Sequence, residues 1–269
     1  MNHAISILGC GWFGEALAKE LIQDNYSVSG SFRSDNRLKE TKINGLNSIQ
    51  IEVGVSNQEE LISFFKIDSL IISYPIRVSS SDDLEKQLSW IQFFKNFPKQ
   101  VILISSTSVY DINGLVDEIT PLSNSGRGFF QAKYEMGLQE IFGDRLTILR
   151  FAGLFGPNRN PGKFLAGKVQ IPSPNATVNL VHLDDTVKIA KKIIETNYKS
   201  GVFNVCGDEH PTKELFYTKA ALKLGLQAPR FLESNEEELS KTIDNSKSKK
   251  LLGMDYFVTN KEIQIITSN

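Results

Sequence analysis

Glycines at positions 9, 11 and 14 follow directly on a strand-like run, Ala4–Leu8, and lead into a helix-patterned segment, Trp12–Asp24. In that segment Leu17, Leu21 and Ile22 share one face. A chain that passes from strand to helix within so few residues is committed to a βα unit with a very tight turn. Glycines let such a turn bend sharply, let another group approach the backbone closely, and let the helix pack against its strand. The unpaired N–H groups at the helix start then face whatever anion lies there. The pattern alone describes many tight turns. A preceding strand and a following amphipathic helix turn Gly9-Cys10-Gly11-Trp12-Phe13-Gly14 into an expected cradle for the pyrophosphate of a nicotinamide dinucleotide. Gly9, Gly11 and Gly14, with Trp12 and Phe13 between them, are the expected contacts.

Strand-like and helical patterns keep alternating after this turn. Ser27–Phe32, Ile49–Val53, Leu70–Ser73, Val101–Ser105 and Leu146–Phe151 read as strands. The clearest intervening helix is Asp82–Phe97, with Leu84, Leu88, Ile91 and Phe94 on one face, core or dimer face. The expected fold is α/β, a doubly wound parallel sheet, with ligands at the carboxyl ends of the strands. After Phe151 turn-rich loops appear, beginning with Gly156-Pro157-Asn158-Arg159, followed by a helix over Asp184–Ile194 and a strand over Val202–Val205. The expected division is a dinucleotide-binding core over 1–155, continued by 182–206, and a small C-terminal substrate lobe from 156–181 and 207–269.

Composition removes several function classes. The 269 residues are 41% hydrophobic with a net charge of −1, and the charges are mixed along the chain, so no nucleic-acid partner is expected. A small molecule is the expected ligand. Cys10 and Cys206 are far apart and form no CxxC, so neither a disulfide framework nor a metal site is expected and a reducing, cytoplasmic setting fits. The N-terminal residues lack the pattern of a signal peptide, and no apolar run approaches the ~20 residues that span a bilayer. The protein is expected to be a monomer or homodimer.

The end of the second strand bears on the choice of cofactor. An NAD site places Asp or Glu there for the ribose hydroxyls. This chain has Gly30-Ser31-Phe32-Arg33-Ser34, with no carboxylate before Asp35. Arg33 either pairs with a 2′-phosphate, flanked by the hydroxyls of Ser31 and Ser34, or is merely solvated. NADP is the expected cofactor, NAD the alternative. Tyr74 and Pro75, after the fourth strand, are expected to line it.

At Ile104-Ser105-Ser106-Thr107-Ser108-Val109-Tyr110 the chain resembles an extended short-chain dehydrogenase/reductase of the nucleotide-sugar epimerase/dehydratase branch. Leu149-Arg150-Phe151-Ala152-Gly153-Leu154-Phe155-Gly156-Pro157, Asn179–Asp185, Gly201–Val205 and Asp244–Lys247 are similar to later family segments, in order. The resemblance implies that Ser105, Phe151 and Gly153 lie beside the cofactor and that Ser106 polarises a substrate carbonyl. It also implies a Tyr-x-x-x-Lys pair, the Tyr moving a proton and the Lys binding ribose. No Tyr here has Lys at the fourth following position. Either Phe129–Lys133 replaces the pair, keeping Lys133 as the ribose contact, or Ser125–Phe129 does and both groups are lost. The first is preferred here. Ser108, Tyr110 and His182 are expected on the substrate side, and the basic loop residues Arg159 and Lys163, with Lys168, either clamp a substrate anion or are solvated. The expected function is an NAD(P)-binding oxidoreductase or isomerase acting on a small polar, sugar-derived carbonyl compound. The alternative is a dinucleotide-binding redox sensor or scaffold without turnover.

Overall fold

The computed structural model describes residues 3–76, 78, 80–233 and 240–268. In chain order its strands are β1 (Ala4–Leu8), β2 (Ser27–Phe32), β3 (Leu46–Gln50), β4 (Ser69–Ile72), β5 (Gln100–Ser106), β6 (Gly114–Val116), β7 (Leu146–Phe151), β8 (Gly153–Phe155), β9 (Leu180–His182), β10 (Gly201–Val205) and β11 (Lys241–Ile243). The α-helices are α1 (Trp12–Gln23), α2 (Asp35–Glu40), α3 (Ile62–Phe65), α4 (Ser81–Gln92), α5 (Phe129–Phe142), α6 (Leu183–Glu195), α7 (Lys213–Lys223), α8 (Ser246–Leu252) and α9 (Phe257–Thr267). Among the described residues no helix is long and apolar enough to cross a membrane.

A parallel sheet of seven strands runs in the order β10-β7-β5-β4-β1-β2-β3. In-register pairs such as Ile7 with Gly30, Leu8 with Ile72 and Ile72 with Leu103 set its centre. The chain moves outward one way from β1 to β3 and then the other way from β4. The strand order therefore reverses between β1 and β4, and the crevice of such a sheet opens at their carboxyl ends. Every residue of β4 and of β7 is buried, as strands covered on both faces require.

One face carries a core of α3, α4 and α5 side chains. Phe65 stacks on Phe94 at 3.7 Å, Trp90 meets both edge-on, and Tyr134, Leu138 and Phe142 fill the α5 side. Helix α4 ends at Gln92, short of the Phe97 expected from periodicity, and turns carry the apolar pattern onward. The third strand is shifted as well. It occupies Leu46–Gln50 rather than Ile49–Val53, because the apolar Ile51 and Val53 pack on the core from the turn that follows an exposed edge strand.

The chain divides into two units, the first Met1–Val109, Leu122–Arg150 and Ile189–Phe203, the second Tyr110–Pro121, Phe151–Lys188 and Asn204–Asn269. The second holds the parallel pairs β6–β11 and β8–β9 and a core of Phe155, Val178, Leu180, Phe216 and Ile263. Its C-terminal helix is pinned by a buried carboxylate. Asp185 Oδ2 accepts from the Thr259 N–H at 2.7 Å and from the Thr259 hydroxyl at 2.5 Å, in the first turn of α9 where a negative charge is favoured. A hydrogen bond to a charged group contributes about 1.5–3 kcal/mol. Asp185→Ala is expected to lower the unfolding free energy by about 3 kcal/mol, read from urea denaturation. An unchanged midpoint would show that α9 does not depend on this carboxylate.

Candidate functional site

The three glycines of the first turn stand in three different surroundings. Gly9 has φ +90°, and a Cβ there would stand 2.5 Å from Tyr74 Cβ. A Cβ on Gly14 would meet Ile7 Cγ2 at 3.1 Å, so this glycine seats α1 on β1. At Gly11 a Cβ would meet nothing within 4 Å, and its backbone is extended (φ −90°, ψ −154°). No contact within the protein requires a glycine at position 11. Its bareness keeps open the space in front of the helix.

Strands on either side brace the turn. The Gly9 N–H donates to Ser31 Oγ at 2.9 Å, the Cys10 N–H to the Ser31 carbonyl at 2.7 Å, and Ser73 Oγ donates to the Gly9 carbonyl at 2.8 Å. The N-cap of α1, Gly11, has no side chain, whereas that of α4, Ser80, accepts from the Asp83 N–H. The turn that leads into α1 is thus braced from β2 and from the end of β4 at the sheet's reversal point. The start of a helix is where a negative charge is favoured. Trp12 is half-buried and Phe13 buried at the start of α1. The Cys10 thiol, pushed up to about 12 by burial, is inert.

Next to the turn, Ser31 has a different role from the one expected. Its side chain is buried and its hydroxyl oxygen accepts from the Gly9 N–H, so it shapes the turn. Arg33 is exposed beyond β2, its Nη2 3.4 Å from Glu52 Oε1. Ser34 caps α2 by accepting from the Arg37 N–H, and Arg37 reaches back to Glu15 on α1 at 2.7 Å.

The ends of β4 and β5 bring further corrections. Tyr74 was expected to line a cofactor. Its backbone does abut Gly9, but its ring packs on the core and its hydroxyl meets that of Tyr134, so burial pushes both phenols up. Pro75 is exposed. Ser106 is half-buried, and its Oγ accepts from the Ser108 N–H at 3.1 Å, leaving the hydroxyl proton to donate elsewhere. Ser108 itself is exposed, its carbonyl tight against Gly128 at the start of α5.

Lys133 lies on the exposed side of α5. Phe129 and Lys133 do share a face, with Lys133 Nζ 5.7 Å from the Phe129 ring, but Lys133 is exposed. Two residues of α5 reach Ser105 at the end of β5, the first of them Gln131, whose Nε2 donates to Ser105 Oγ at 3.0 Å. At about 100° per residue, Gln131 and Lys133 lie on nearly opposite sides of the helix. Behind Gln131 is a buried group that the sequence reading missed. Ser105 Oγ donates to Glu135 Oε1 at 2.5 Å, and Glu135 receives Arg150 through Nε and Nη2, the shortest contact 2.7 Å. Glu135 and Arg150 are 2% and 3% exposed. The signal was present in the sequence: Glu135 interrupts the apolar stripe Ala132, Leu138, Phe142, and a carboxylate there needs a buried cation.

In the second unit, Tyr110 is buried and its hydroxyl donates to Asn204 Oδ1 at 2.8 Å. Lys241 donates to the Tyr110 carbonyl, and burial lowers the pKa of its ammonium. Phe151 is buried, and Gly153 donates to the Asn179 carbonyl. His182 is nearly buried; its Nδ1 accepts from the Asp184 N–H at 3.2 Å, and its Nε2 lies beside Gly156. Arg159 and Lys163 are exposed on either side of Asn160, which caps the short turn at Pro161–Lys163.

Comparison with known proteins adds three findings. No family model matches the chain. It is 34% identical over 265 residues to Protein YeeZ of Escherichia coli strain K12, covering 94% of this chain and 95% of that one. Its fold matches a functionally unknown conserved protein from Silicibacter pomeroyi DSS (TM-score 0.77, 21% identity, full coverage of both chains). It also matches dTDP-glucose 4,6-dehydratase from Bacillus anthracis in complex with NAD (TM-score 0.75, 15% identity, 98% of this chain and 95% of that one). At these identities the structural likeness concerns the fold.

Proposed function

The chain belongs to the family of Protein YeeZ, and from that premise we propose that it binds a nicotinamide dinucleotide, NADP(H) in preference to NAD(H), and acts on a small polar, sugar-derived carbonyl compound in the manner of an epimerase/dehydratase. The glycine turn, with the bare Gly11 before α1 at the point where the strand order reverses, carries this reading. Gly9, Gly11 and Gly14 form the pyrophosphate turn, Arg33 offers a guanidinium to a 2′-phosphate, and Ser106 has a hydroxyl proton to give to a substrate oxygen. A bound nicotinamide would supply hydride transfer. Two thiols pushed up to about 12 by burial, Cys10 and Cys206, suit a reducing, cytoplasmic setting.

The tyrosines favour a second reading, dinucleotide binding without turnover of the family type. In the first unit Tyr74 and Tyr134 hold each other in the core. Tyr26 precedes β2, and the Tyr198 carbonyl accepts from Gln100 at the start of β5, so both lie at the opposite end of the strands from Gly9. Among the described residues no phenol of the first unit is placed to donate a proton beside Ser106, and general acid–base catalysis is typically worth about 10²–10⁴-fold.

Titration calorimetry separates the parts of this proposal. NADPH is expected to bind about tenfold more tightly than NADH, through a single charge-assisted contact, and Arg33→Ala to remove the difference. Equal affinities would overturn the NADP preference, and binding of neither would overturn the function. NADPH consumption over a panel of carbonyl compounds then decides between turnover and binding alone.

A further inference from the structure

We propose that the side-chain carbonyl Oε1 of Gln131 is a fixed acceptor for a ligand hydroxyl at the carboxyl end of β5. The proposal rests on the reading that ligands gather at this edge, and it follows from an accounting of donors and acceptors. The Arg150 guanidinium has only protons to give, and it gives them to both oxygens of Glu135. Glu135 is therefore an acceptor-only carboxylate, and the hydroxyl of Ser105 at 2.5 Å has to spend its single proton on Oε1. Ser105 Oγ is left able only to accept, and its partner on the other side is Gln131.

An amide with its N and O exchanged would set oxygen against oxygen at Ser105. The relay consequently fixes which end of the Gln131 amide points inward. Nε2 faces Ser105, and Oε1 is turned away from it. Among the described residues no donor is placed against Oε1. Gln131 is half-buried, while Glu135, one turn further along the same face, is fully buried, so the open end of the relay lies toward solvent.

A buried ion pair that breaks even energetically at best thus sets the orientation of one neutral amide at the rim of the sheet. The chemistry that completes it is a hydroxyl donor such as a ribose or sugar OH. The source is either the nicotinamide-side ribose of the dinucleotide or a polyol substrate.

Calorimetry on the full chain, wild type and Gln131→Leu, distinguishes the two. The probes are NADPH, 2′-phospho-ADP-ribose, adenosine 2′,5′-bisphosphate, which lacks the second ribose, and UDP-glucose added to the NADPH-saturated protein. If the hydroxyl is the cofactor's, NADPH and 2′-phospho-ADP-ribose lose about tenfold in affinity while the bisphosphate is unaffected. If it is the substrate's, the three nucleotides bind as before and UDP-glucose loses about tenfold. Ser105→Ala releases the amide without removing it and is expected to reproduce the same pattern at about threefold; it also serves should Gln131→Leu fail to fold. Equal losses for every probe, or no loss for any, would overturn the proposal. Wild type that binds these nucleotides with an insensitive Gln131→Leu overturns this inference alone. Wild type that binds none of them overturns the function proposed above as well.

Discussion

Gly11→Val is expected to abolish measurable dinucleotide binding, a loss of at least about 100-fold, while leaving the protein folded. Gly11 is exposed, its φ and ψ are open to any residue, and a Cβ would touch no protein atom. A valine would fill the space in front of α1, where the proposed function seats a phosphate. It would also narrow the unfolded ensemble slightly, so the melting temperature without ligand should hold or rise. Gly9→Val provides the contrast. There the backbone is left-handed and the new Cβ would collide with Tyr74, so that variant should be unstable whatever the ligand. Calorimetry gives the affinities, and the melting temperature with and without NADPH gives the fold. If Gly11→Val still gains thermal stability from NADPH, this turn does not hold the cofactor.

Arg150→Ala is expected to cost about 3–5 kcal/mol of stability, because it leaves the Glu135 carboxylate buried with no cation. The pair lies under 5% exposed and is bidentate, so solvent cannot take over the missing hydrogen bonds. Replacing both partners, Arg150→Met with Glu135→Leu, should recover most of the loss, since the desolvation of the charges disappears along with their attraction. Denaturant unfolding measures all three proteins. The double variant also bears on the relay to Gln131. It should be nearly as stable as wild type and yet bind ligand like Ser105→Ala, because Ser105 no longer has a carboxylate to donate to. A double variant as unstable as the single one would mean that Ser105 or neighbouring backbone depends on the charges themselves.

What the sequence disclosed and what it hid follow from the range of the interactions. The strand, turn and helix around Gly9–Gly14 are local, and so was their signal. The shift of β3 arose because Ile51 and Val53 announce burial, and a turn packed on the core buries side chains as well as a strand does. The β6–β11 pairing joins Leu115 to Thr242 through strands three residues long, too short for any alternation to show. It draws the Tyr110–Pro121 segment into the second unit, which the sequence reading had left with the first. Lys133 was chosen by its chemistry, an ammonium after an expected proton donor. The side of the helix it occupies is set instead by the stripe through Ala132, Glu135 and Leu138, which turns Gln131 toward the sheet. Asp185 likewise looked like a helix-start residue of its own segment, and its partner Thr259 stands 74 positions away.

The strand order has a consequence for how the molecule comes off the ribosome. Five of the seven sheet strands, β3-β2-β1-β4-β5, are complete once Ser106 has been made. The neighbour that covers the outer edge of β5 does not begin until Leu146, and β10 follows only from Gly201. Translation at about 5–20 residues per second therefore leaves an apolar strand with an unpaired row of peptide groups at the nascent chain's edge for seconds. That edge, Gln100–Ser106, is where two growing copies could pair with each other before either has finished, and where a holding chaperone would be best employed.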